Sequence, residues 1–290
     1  MSKEKPNYNE IIFTDEQEQK IIDLYVNQNI STVQIGKQFG CSHKKIAKVL
    51  KNYNIPRTGV SRRKYYLNET FFDNIDTQDK AYILGFFYAD GCNYMPKQTV
   101  SMSLQEEDYD ILERIRNTIG SERPLEYIDY SNKHDFGYNY ENQWRLLLFS
   151  KHLCDSLNAI GMTPAKSLTL KFPNIDPSLY RHFIRGYFDG DGCISLYKHP
   201  RSSITRVNIS MLSTGKFLNK VKEILFDELK INCGIYDIKK NNITKTLSIT
   251  SVGSCVKFLE WIYQDANLYM QRKYDKYMEY IHYKEASCVA

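Results

Sequence analysis

The sequence predicts an α+β protein in which one unit of helix, hairpin, helix, hairpin and helix occurs twice, after a small all-α domain. Three observations predict this class. An apolar segment that ends in Asp-Gly recurs a hundred residues later, at residues 83–91 and 184–192. Polar and apolar residues alternate after each copy, as in a strand with one solvated face. Residues 1–56 instead show short helical patterns with a glycine turn.

The front segment predicts three helices. Thr14 and Ser31 begin the first two, and Ser42 begins the third after a turn at Gly40. The third helix turns polar and basic side chains outward: His43, Lys44, Lys45, Lys48 and Lys51. Three short helices with a glycine turn before a basic last helix resemble a helix-turn-helix, whose last helix lies in the DNA major groove. A small bundle with a solvated basic face is the alternative.

The basic charge of the chain is concentrated at its front. The net charge is +5, and residues 1–70 alone hold twelve Lys/Arg against seven Asp/Glu, so the remainder is neutral. From Lys37 to Lys64 there are nine basic residues and no acid. This pattern is suited to binding the phosphates of a nucleic acid. Residues 57–70 are predicted to be an extended basic linker. Its predicted DNA contacts are Arg57, Arg62, Arg63 and Lys64.

Each copy of the repeat predicts a helix that ends at an acid. Asp76 and Asp176 are the expected N-caps, and Gly91 and Gly192 are expected to end the helices in the left-handed conformation. The last turn then holds Asp90 in one helix and Asp191 in the other. The helix dipole disfavours a carboxylate there by up to about 1 kcal/mol. Helix stability therefore does not explain these two acids.

Small residues at matching positions predict that the two helices touch. Gly85 and Ala89 lie four residues apart, as do Gly186 and Gly190, which allows close backbone approach. Contact through these faces would bring the two acids together at one end. Two carboxylates beside the carbonyls of Ala89 and Gly190 form a cluster of hard oxygen atoms that calls for cations. Taken singly, each copy also fits a buried core helix followed by a turn.

The paired segments resemble the signature helices of a single-chain LAGLIDADG homing endonuclease, over about residues 71–290. The resemblance implies two pseudo-symmetric αββαββα halves, 71–170 and 171–290, that form a DNA-binding saddle. It implies that Asp90 and Asp191 bind two or three Mg²⁺ ions, with Mn²⁺ or Ca²⁺ as substitutes in vitro. The first copy departs from the family pattern at Tyr88, where an acid is common. The implied activity is a double-strand break across the minor groove with short 3′ overhangs.

The remaining segments of each half predict strands and helices in the same order. Strands are expected at 99–105 and 206–211, helices at 109–119 and 215–229, and further strands at 125–130, 144–149, 235–239 and 246–252. In the resembled family the polar sheet faces lie along DNA. The residues expected there are Tyr94, Thr99, Ser101, Ser103, Gln105, Tyr197, Arg206, Asn208, Lys239, Lys240 and Thr246. A plain solvated strand face is the alternative for each of them.

Three further residues are expected to border the acids. Lys166 follows Asp90 by 76 residues and Lys273 follows Asp191 by 82, so similar offsets suggest equivalent places. In the family a basic residue at this point borders the active site, where an ammonium can stabilise charge on the scissile phosphate. Gln105 resembles a polar residue that lines the same site. The second half has Leu212 and Ser213 at the position taken to match it, which breaks the symmetry.

Other chemistry finds little support in the sequence. The seven cysteines form no CxxC pair and predict free thiols in a reducing compartment, either cytoplasm or an organellar matrix. No signal peptide or membrane-spanning segment is predicted, and a monomer is expected. Two other functions remain open. They are an intron maturase that binds structured RNA on the same scaffold, and a transcription regulator built from a helix-turn-helix and a decayed nuclease domain.

Overall fold

The computed structural model describes residues 12–28, 30–55, 65–130, 141–198, 204–238 and 241–289. The chain divides into two compact units, Met1–Tyr65 and Tyr66–Ala290. Residues 57–64 of the predicted linker lie outside the described residues. Residues 66–70 belong to the second unit, since Leu67 bridges to Ser121 and packs into the larger core.

The described residues of the first unit form three helices at the predicted places: α1 Asp15–Val26, α2 Thr32–Gln38 and α3 His43–Asn52. Thr14 and Ser31 cap the first two through their hydroxyl groups, whereas Ser42 precedes α3 without a side-chain cap. Gly40 has a φ of +63°, which suits the turn between α2 and α3. The apolar residues Ile46, Val49 and Leu50 of α3 are buried, so its basic residues face outward.

The second unit repeats one order of elements, αββαββα. Its first half consists of α4 Gln78–Asp90, β1 Gly91–Tyr94, β2 Thr99–Gln105, α5 Tyr109–Ile119, β3 Glu126–Ile128, β4 Gln143–Phe149 and α6 Lys151–Ile160. Its second half consists of α7 Tyr180–Asp191, β5 Gly192–Lys198, β6 Thr205–Thr214, α8 Gly215–Leu229, β7 Gly234–Ile238, β8 Asn241–Ile249 and α9 Val252–Tyr263. The predicted α+β class with two αββαββα halves is confirmed.

One helix, α10 Gln271–Val289, follows the second half and was not predicted. Strand β8 also differs from its predicted range of 246–252. It begins earlier, at Asn241, because pairing with β7 extends it through a polar stretch. It ends at Ile249 because Ser251 and Val252 begin α9. In the described part of the chain no helix is both long and apolar enough to cross a bilayer.

Both sheets have four antiparallel strands in the same order, β1-β2-β4-β3 and β5-β6-β8-β7. In β2, Val100, Met102 and Leu104 are buried, and the intervening polar residues face away from the core. The matching strand β6 repeats this alternation with Val207, Ile209 and Met211. Each sheet therefore keeps one solvated face, as the period-two pattern predicts.

The two repeated helices, α4 and α7, touch through their glycines. A Cβ on Gly85 would lie 2.0 Å from the carbonyl oxygen of Phe183, and a Cβ on Gly186 would lie 1.9 Å from that of Tyr82. Only glycine allows the two backbones to approach this closely. The small-residue spacing thus predicted the contact correctly.

The predicted ends of these helices need correction. Thr77, not Asp76, caps α4, while Asp76 pairs with Lys80 at 2.9 Å. Asp176 caps a single 3₁₀ turn that leads into α7. Gly91 and Gly192 are extended rather than left-handed, because each helix passes directly into a strand.

Glycine is required at these two strand starts because space is lacking. A Cβ on Gly91 would lie 2.5 Å from the Phe87 ring, and a Cβ on Gly192 would lie 2.1 Å from the Phe188 ring. In both halves the chain therefore turns against an aromatic ring four residues earlier. This close approach accompanies the end of each helix, directly after Asp90 and Asp191.

Candidate active site

Asp90 and Asp191 come together at the ends of α4 and α7. A Cβ on Gly190 would lie 2.3 Å from the Cβ of Ala89 and 2.7 Å from Oδ2 of Asp90. The Asp90 carboxylate therefore reaches across to the last turn of α7, one residue before Asp191. Each acid has one side open to solvent, while the packed helix ends remove part of the hydration of its carboxylate. The predicted convergence of one acid from each half agrees with this geometry.

The two carboxylates influence each other. Loss of hydration between the helix ends, followed by the charge of Asp191, raises the pKa of Asp90 to about 6. Burial likewise raises the pKa of Asp191, and the Tyr187 hydroxyl opposes that change. A site that penalises two negative charges favours a bound cation, which would stabilise both ionised carboxylates.

Both predicted lysines lie at the same helix ends. Lys166 and Lys273 are buried, and their relative exposures are 8% and 5%. The Lys166 ammonium donates to the carbonyl of Ala89 at 3.0 Å. Its pKa is lowered by burial, against the opposing charges of Asp191 and Asp90. The offsets of 76 and 82 residues therefore lead to corresponding positions.

The Lys273 ammonium contacts four carbonyl oxygens at the end of α7. Its acceptors are Phe188 at 2.7 Å, Asp189 at 2.7 Å, Gly190 at 3.2 Å and Gly192 at 2.6 Å. Burial lowers the pKa of Lys273 to about 8. An ammonium has three protons, so Lys273 is saturated here and would have to release a carbonyl to reach a phosphate. Its predicted contact with phosphate stays a prediction.

The donor atoms fit a hard divalent cation. Asp90 and Asp191 supply carboxylate oxygens, and Ala89 and Gly190 supply carbonyl oxygens at the same helix ends. Mg²⁺ is commonly held by one or two carboxylates and completes its shell with water. Each carbonyl has a second lone pair besides the one used by its lysine. No cluster of three His, Cys, Asp or Glu side chains suited to a metal occurs within the described ranges.

Gln105 is exposed at the end of β2, and its counterpart is not the one expected. Gly91 pairs with Met102, and Gly192 pairs with Met211. By this register Gln105 corresponds to Thr214, and Leu212 corresponds to Ser103. Thr214 is buried, caps α8 and donates to the carbonyl of Leu170. The two halves therefore differ at this position.

The predicted DNA-contacting residues mostly share the open sheet faces. Tyr197 pairs with Arg206, Ser195 with Asn208 and Leu212 with Thr246, which places those side chains on one face. In the first sheet Tyr94 pairs with Thr99, and Ser101 and Ser103 follow on the same face. Thr99 itself is buried, and Ser103 accepts a hydrogen bond from Arg145 at 3.0 Å. Arg57, Arg62, Arg63, Lys64, Lys239 and Lys240 lie outside the described residues.

Several residues around the acids were not singled out from the sequence. The buried carboxylate of Asp189 accepts hydrogen bonds from the hydroxyls of Tyr82 and Tyr263 and from the backbone N–H of Met270. Tyr187 donates to the carbonyl of Leu212 at 2.8 Å beside Asp191. Aligning the two repeats marks position 189 as an acid opposite Tyr88, but only the contacts reveal its partners.

One contact ties each lysine-bearing segment to the opposite half. Arg272, next to Lys273, donates to the buried Asp108 of the first half at 2.9 and 3.2 Å. Thr214 of the second half donates to the carbonyl of Leu170, four residues after Lys166. Each lysine therefore depends on both halves for its place.

A fully buried arginine holds the segment between α9 and α10. Arg185 donates to the carbonyls of Leu268 and Ile262, both at 2.9 Å, and to Nδ1 of His182 at 2.9 Å. Burial, followed by the charges of Arg185 and Arg181, lowers the pKa of His182 to about 4. His182 must therefore stay neutral in the folded protein.

We expect this histidine to make the protein less stable in mild acid. Between pH 6.5 and about 4 the unfolded chain binds a proton at His182 that the folded chain excludes. The free energy of unfolding should therefore fall as the pH falls through this window, by about 1–3 kcal/mol. Urea unfolding at several pH values measures this loss in the wild type and in His182→Gln, which keeps an acceptor for Arg185. The free energies of unfolding of the two proteins should converge toward low pH. A constant difference between them would rule out the contribution of His182.

Among known protein families, one family model matches a part of the chain within its second half. Residues 178–263 match the family model described as a LAGLIDADG-like domain. No curated protein sequence matches the chain significantly.

Solved structures with a similar fold include two kinds of protein. Full-length DUF199/WhiA from Thermatoga maritima is 19% identical, with 76% of this chain and 65% of that chain covered and a TM-score of 0.45. The I-LtrWI homing endonuclease bound to target DNA is 12% identical, with 75% and 92% covered and a TM-score of 0.46. The I-AabMI meganuclease bound to uncleaved DNA is 15% identical, with 71% and 91% covered and a TM-score of 0.46.

Proposed function

We propose that this chain is a metal-dependent, site-specific DNA endonuclease that acts as a monomer and makes a double-strand break with short 3′ overhangs across the minor groove. One observation carries the proposal. Two acids from different halves meet at the ends of two helices that touch backbone to backbone. The electrostatics of α4 and α7 do not favour acids there, so a role in cation binding explains them better than a role in folding.

In this proposal Asp90, Asp191 and the carbonyls of Ala89 and Gly190 hold Mg²⁺. The bound ions would activate water and stabilise the leaving 3′ oxygen. The carboxylates have to be ionised for this, and the lysines at both helix ends help by offsetting their charge. Gln105 remains a candidate for orienting water from the end of β2.

The open sheet faces would supply sequence selectivity in the major groove. The support is the polar side chains on these faces. Exposed Arg206 and half-buried Asn208 share the second sheet's face with exposed Tyr197, and exposed Tyr94 lies on that of the first sheet. The first unit would add affinity through α3, whose exposed side carries His43, Lys44, Lys45 and Lys48. Residues 57–64 would continue these contacts along the phosphates.

The activity can be tested without knowing the target. The full chain is incubated with a plasmid library of random inserts or with genomic fragments, with Mg²⁺ or with EDTA, and new DNA ends are mapped by sequencing. We expect paired ends at one recurring sequence, offset by a short 3′ overhang, only with Mg²⁺. The absence of metal-dependent ends across the library would refute the endonuclease.

A DNA-binding regulator without nuclease activity is the second candidate. The observation that favours it is the saturated ammonium of Lys273, since capping four carbonyls at the end of α7 is a complete structural role. Such a protein would bind one DNA sequence equally well with Mg²⁺ or EDTA and leave it intact. Binding to RNA alone would instead indicate the maturase function, with intron RNA as the partner.

The contribution of α3 should appear in the salt dependence of DNA binding. Changing Lys44, Lys45 and Lys48 together to Gln should reduce the slope of log K against log salt by up to ~3, because each phosphate contact contributes about 0.9. Fluorescence anisotropy with a duplex DNA at several salt concentrations measures the slope. Lys20→Gln on the exposed side of α1 is the control and should leave it unchanged. Equal slopes for the wild type and the triple variant would exclude α3 from the interface.

A further inference from the structure

The residues two places before the two acids occupy equivalent positions but differ in chemistry. Tyr88 precedes Asp90, and Asp189 precedes Asp191. Both side chains are fully enclosed, with relative exposures of 1% and 0%. Neither faces the solvated side of the site, so neither can contact a phosphate. Their partners show what each side chain does.

Asp189 fixes the segment that leads to Lys273. Its Oδ1 accepts from the hydroxyl of Tyr263 at 2.8 Å, and its Oδ2 accepts from the N–H of Met270 at 2.8 Å. The carbonyl of Met270 in turn accepts from the backbone N–H of Lys273 at 3.1 Å. Tyr82 from the first half donates to Oδ2 at 2.9 Å. This carboxylate therefore receives three donors and ties the end of α9 and the first turn of α10 to α7.

Tyr88 does the same for the segment that leads to Lys166, with the opposite hydrogen-bond polarity. Its hydroxyl donates to the carbonyl of Ile160, the last residue of α6, at 2.9 Å. Asn93, also buried, donates to the carbonyl of Met162 at 3.1 Å on the same corner. In the first half the Tyr88 hydroxyl binds a backbone carbonyl, whereas in the second half the Asp189 carboxylate binds a backbone N–H. The different residues at one repeat position are thus matched to different partners.

We propose that Tyr88 and Asp189 are positioning residues, each of which sets the place of the active-site lysine of its own half, so that cutting of the two DNA strands can be disturbed separately. The strand-specific part rests on the proposed endonuclease function. The two strands of a duplex are related by a two-fold axis, and the two halves of the second unit repeat one element order and one sheet order. Each lysine, at its own helix end, would then serve a different strand.

The test compares variants that each remove one hydroxyl. Tyr88→Phe removes the donor to Ile160, and Tyr263→Phe removes one donor to Asp189. Tyr180→Phe is the matched control, because Tyr180 packs on Phe172 and its hydroxyl has no hydrogen bond among the described residues. The first readout needs no nuclease activity. Lysine acetylation by acetic anhydride is followed residue by residue with mass spectrometry.

We expect Tyr88→Phe to raise the acetylation rate of Lys166 several-fold and leave Lys273 unchanged, and Tyr263→Phe to do the reverse. The second readout is plasmid cleavage with each strand labelled separately. Each of the two variants should slow one strand by roughly tenfold or more, and the two variants should affect opposite strands. Nicked circles should then accumulate.

Equal changes at both lysines, or at neither, would overturn the positioning roles. Equal slowing of both strands by either variant would overturn the strand-specific part. The Tyr180→Phe control should match the wild type in both readouts. A wild type that cuts no DNA but shows the lysine-specific acetylation pattern in its variants would refute the endonuclease and leave the positioning roles intact.

Discussion

Asp90→Asn or Asp191→Asn is expected to reduce Mg²⁺-dependent double-strand cutting by on the order of 10³-fold or more while DNA binding is retained. Asparagine has nearly the same shape but lacks the charge that holds the cation. Cleavage of labelled target duplex and anisotropy with the same duplex measure the two properties. The variants should also melt at a higher temperature than the wild type, because the pKa of Asp90 is raised by its surroundings and by Asp191.

The control for this prediction is Asp265→Asn. Asp265 is exposed and has a φ of +53°, a conformation that asparagine tolerates well. It should cut like the wild type and show no gain in melting temperature. Unchanged metal-dependent nicking by the Asp90→Asn, Asp191→Asn double variant would refute the assignment of both acids.

Gly186→Ala is expected to destabilise the second unit by more than about 3 kcal/mol. The added methyl would lie 1.9 Å from the carbonyl oxygen of Tyr82, a backbone atom that can move only if the two helices separate. Gly85→Ala should behave alike, since its methyl would lie 2.0 Å from the carbonyl oxygen of Phe183. Chemical denaturation monitored by circular dichroism gives the free energies of unfolding.

Gly253→Ala is the matched control for these substitutions. Gly253 lies in α9, and a methyl there would meet no atom within 4 Å. Alanine should therefore be neutral or stabilise the helix by up to about 1 kcal/mol. A cost at Gly186 as small as the change at Gly253 would show that α4 and α7 do not touch backbone to backbone.

The sequence was sufficient for the features that depend on local period and on the repeat. Alternation predicted β2 at its observed bounds, and helical spacing did the same for α5 and α8. The small residues Gly85 and Gly186 predicted the contact between helices because their spacing places them on one face. The convergence of the two acids followed from that contact.

The parts that could not be predicted depend on contacts between distant segments. Gly91 was expected to be left-handed, but its conformation is extended because the chain enters a strand packed on Phe87. Gln105 was matched to the wrong residue because the predicted strand starts, residues 99 and 206, are not equivalent. The first hairpin pairs four residues and the second pairs seven, so residue 99 corresponds to residue 208. The carbonyl partners of Lys273 depend on where α10 begins, which no local pattern specifies.

The most direct test of the shared cation site is the titration of Asp90 itself, followed by ¹³C NMR of the aspartate carboxyl groups. Without divalent ions the pKa should be about 6. It should fall when millimolar Mg²⁺ is added, beyond any effect of K⁺ at equal ionic strength, and it should also fall in Asp191→Asn. A titration of Asp90 that responds neither to Mg²⁺ nor to the loss of Asp191 would contradict a cation site shared by these two acids.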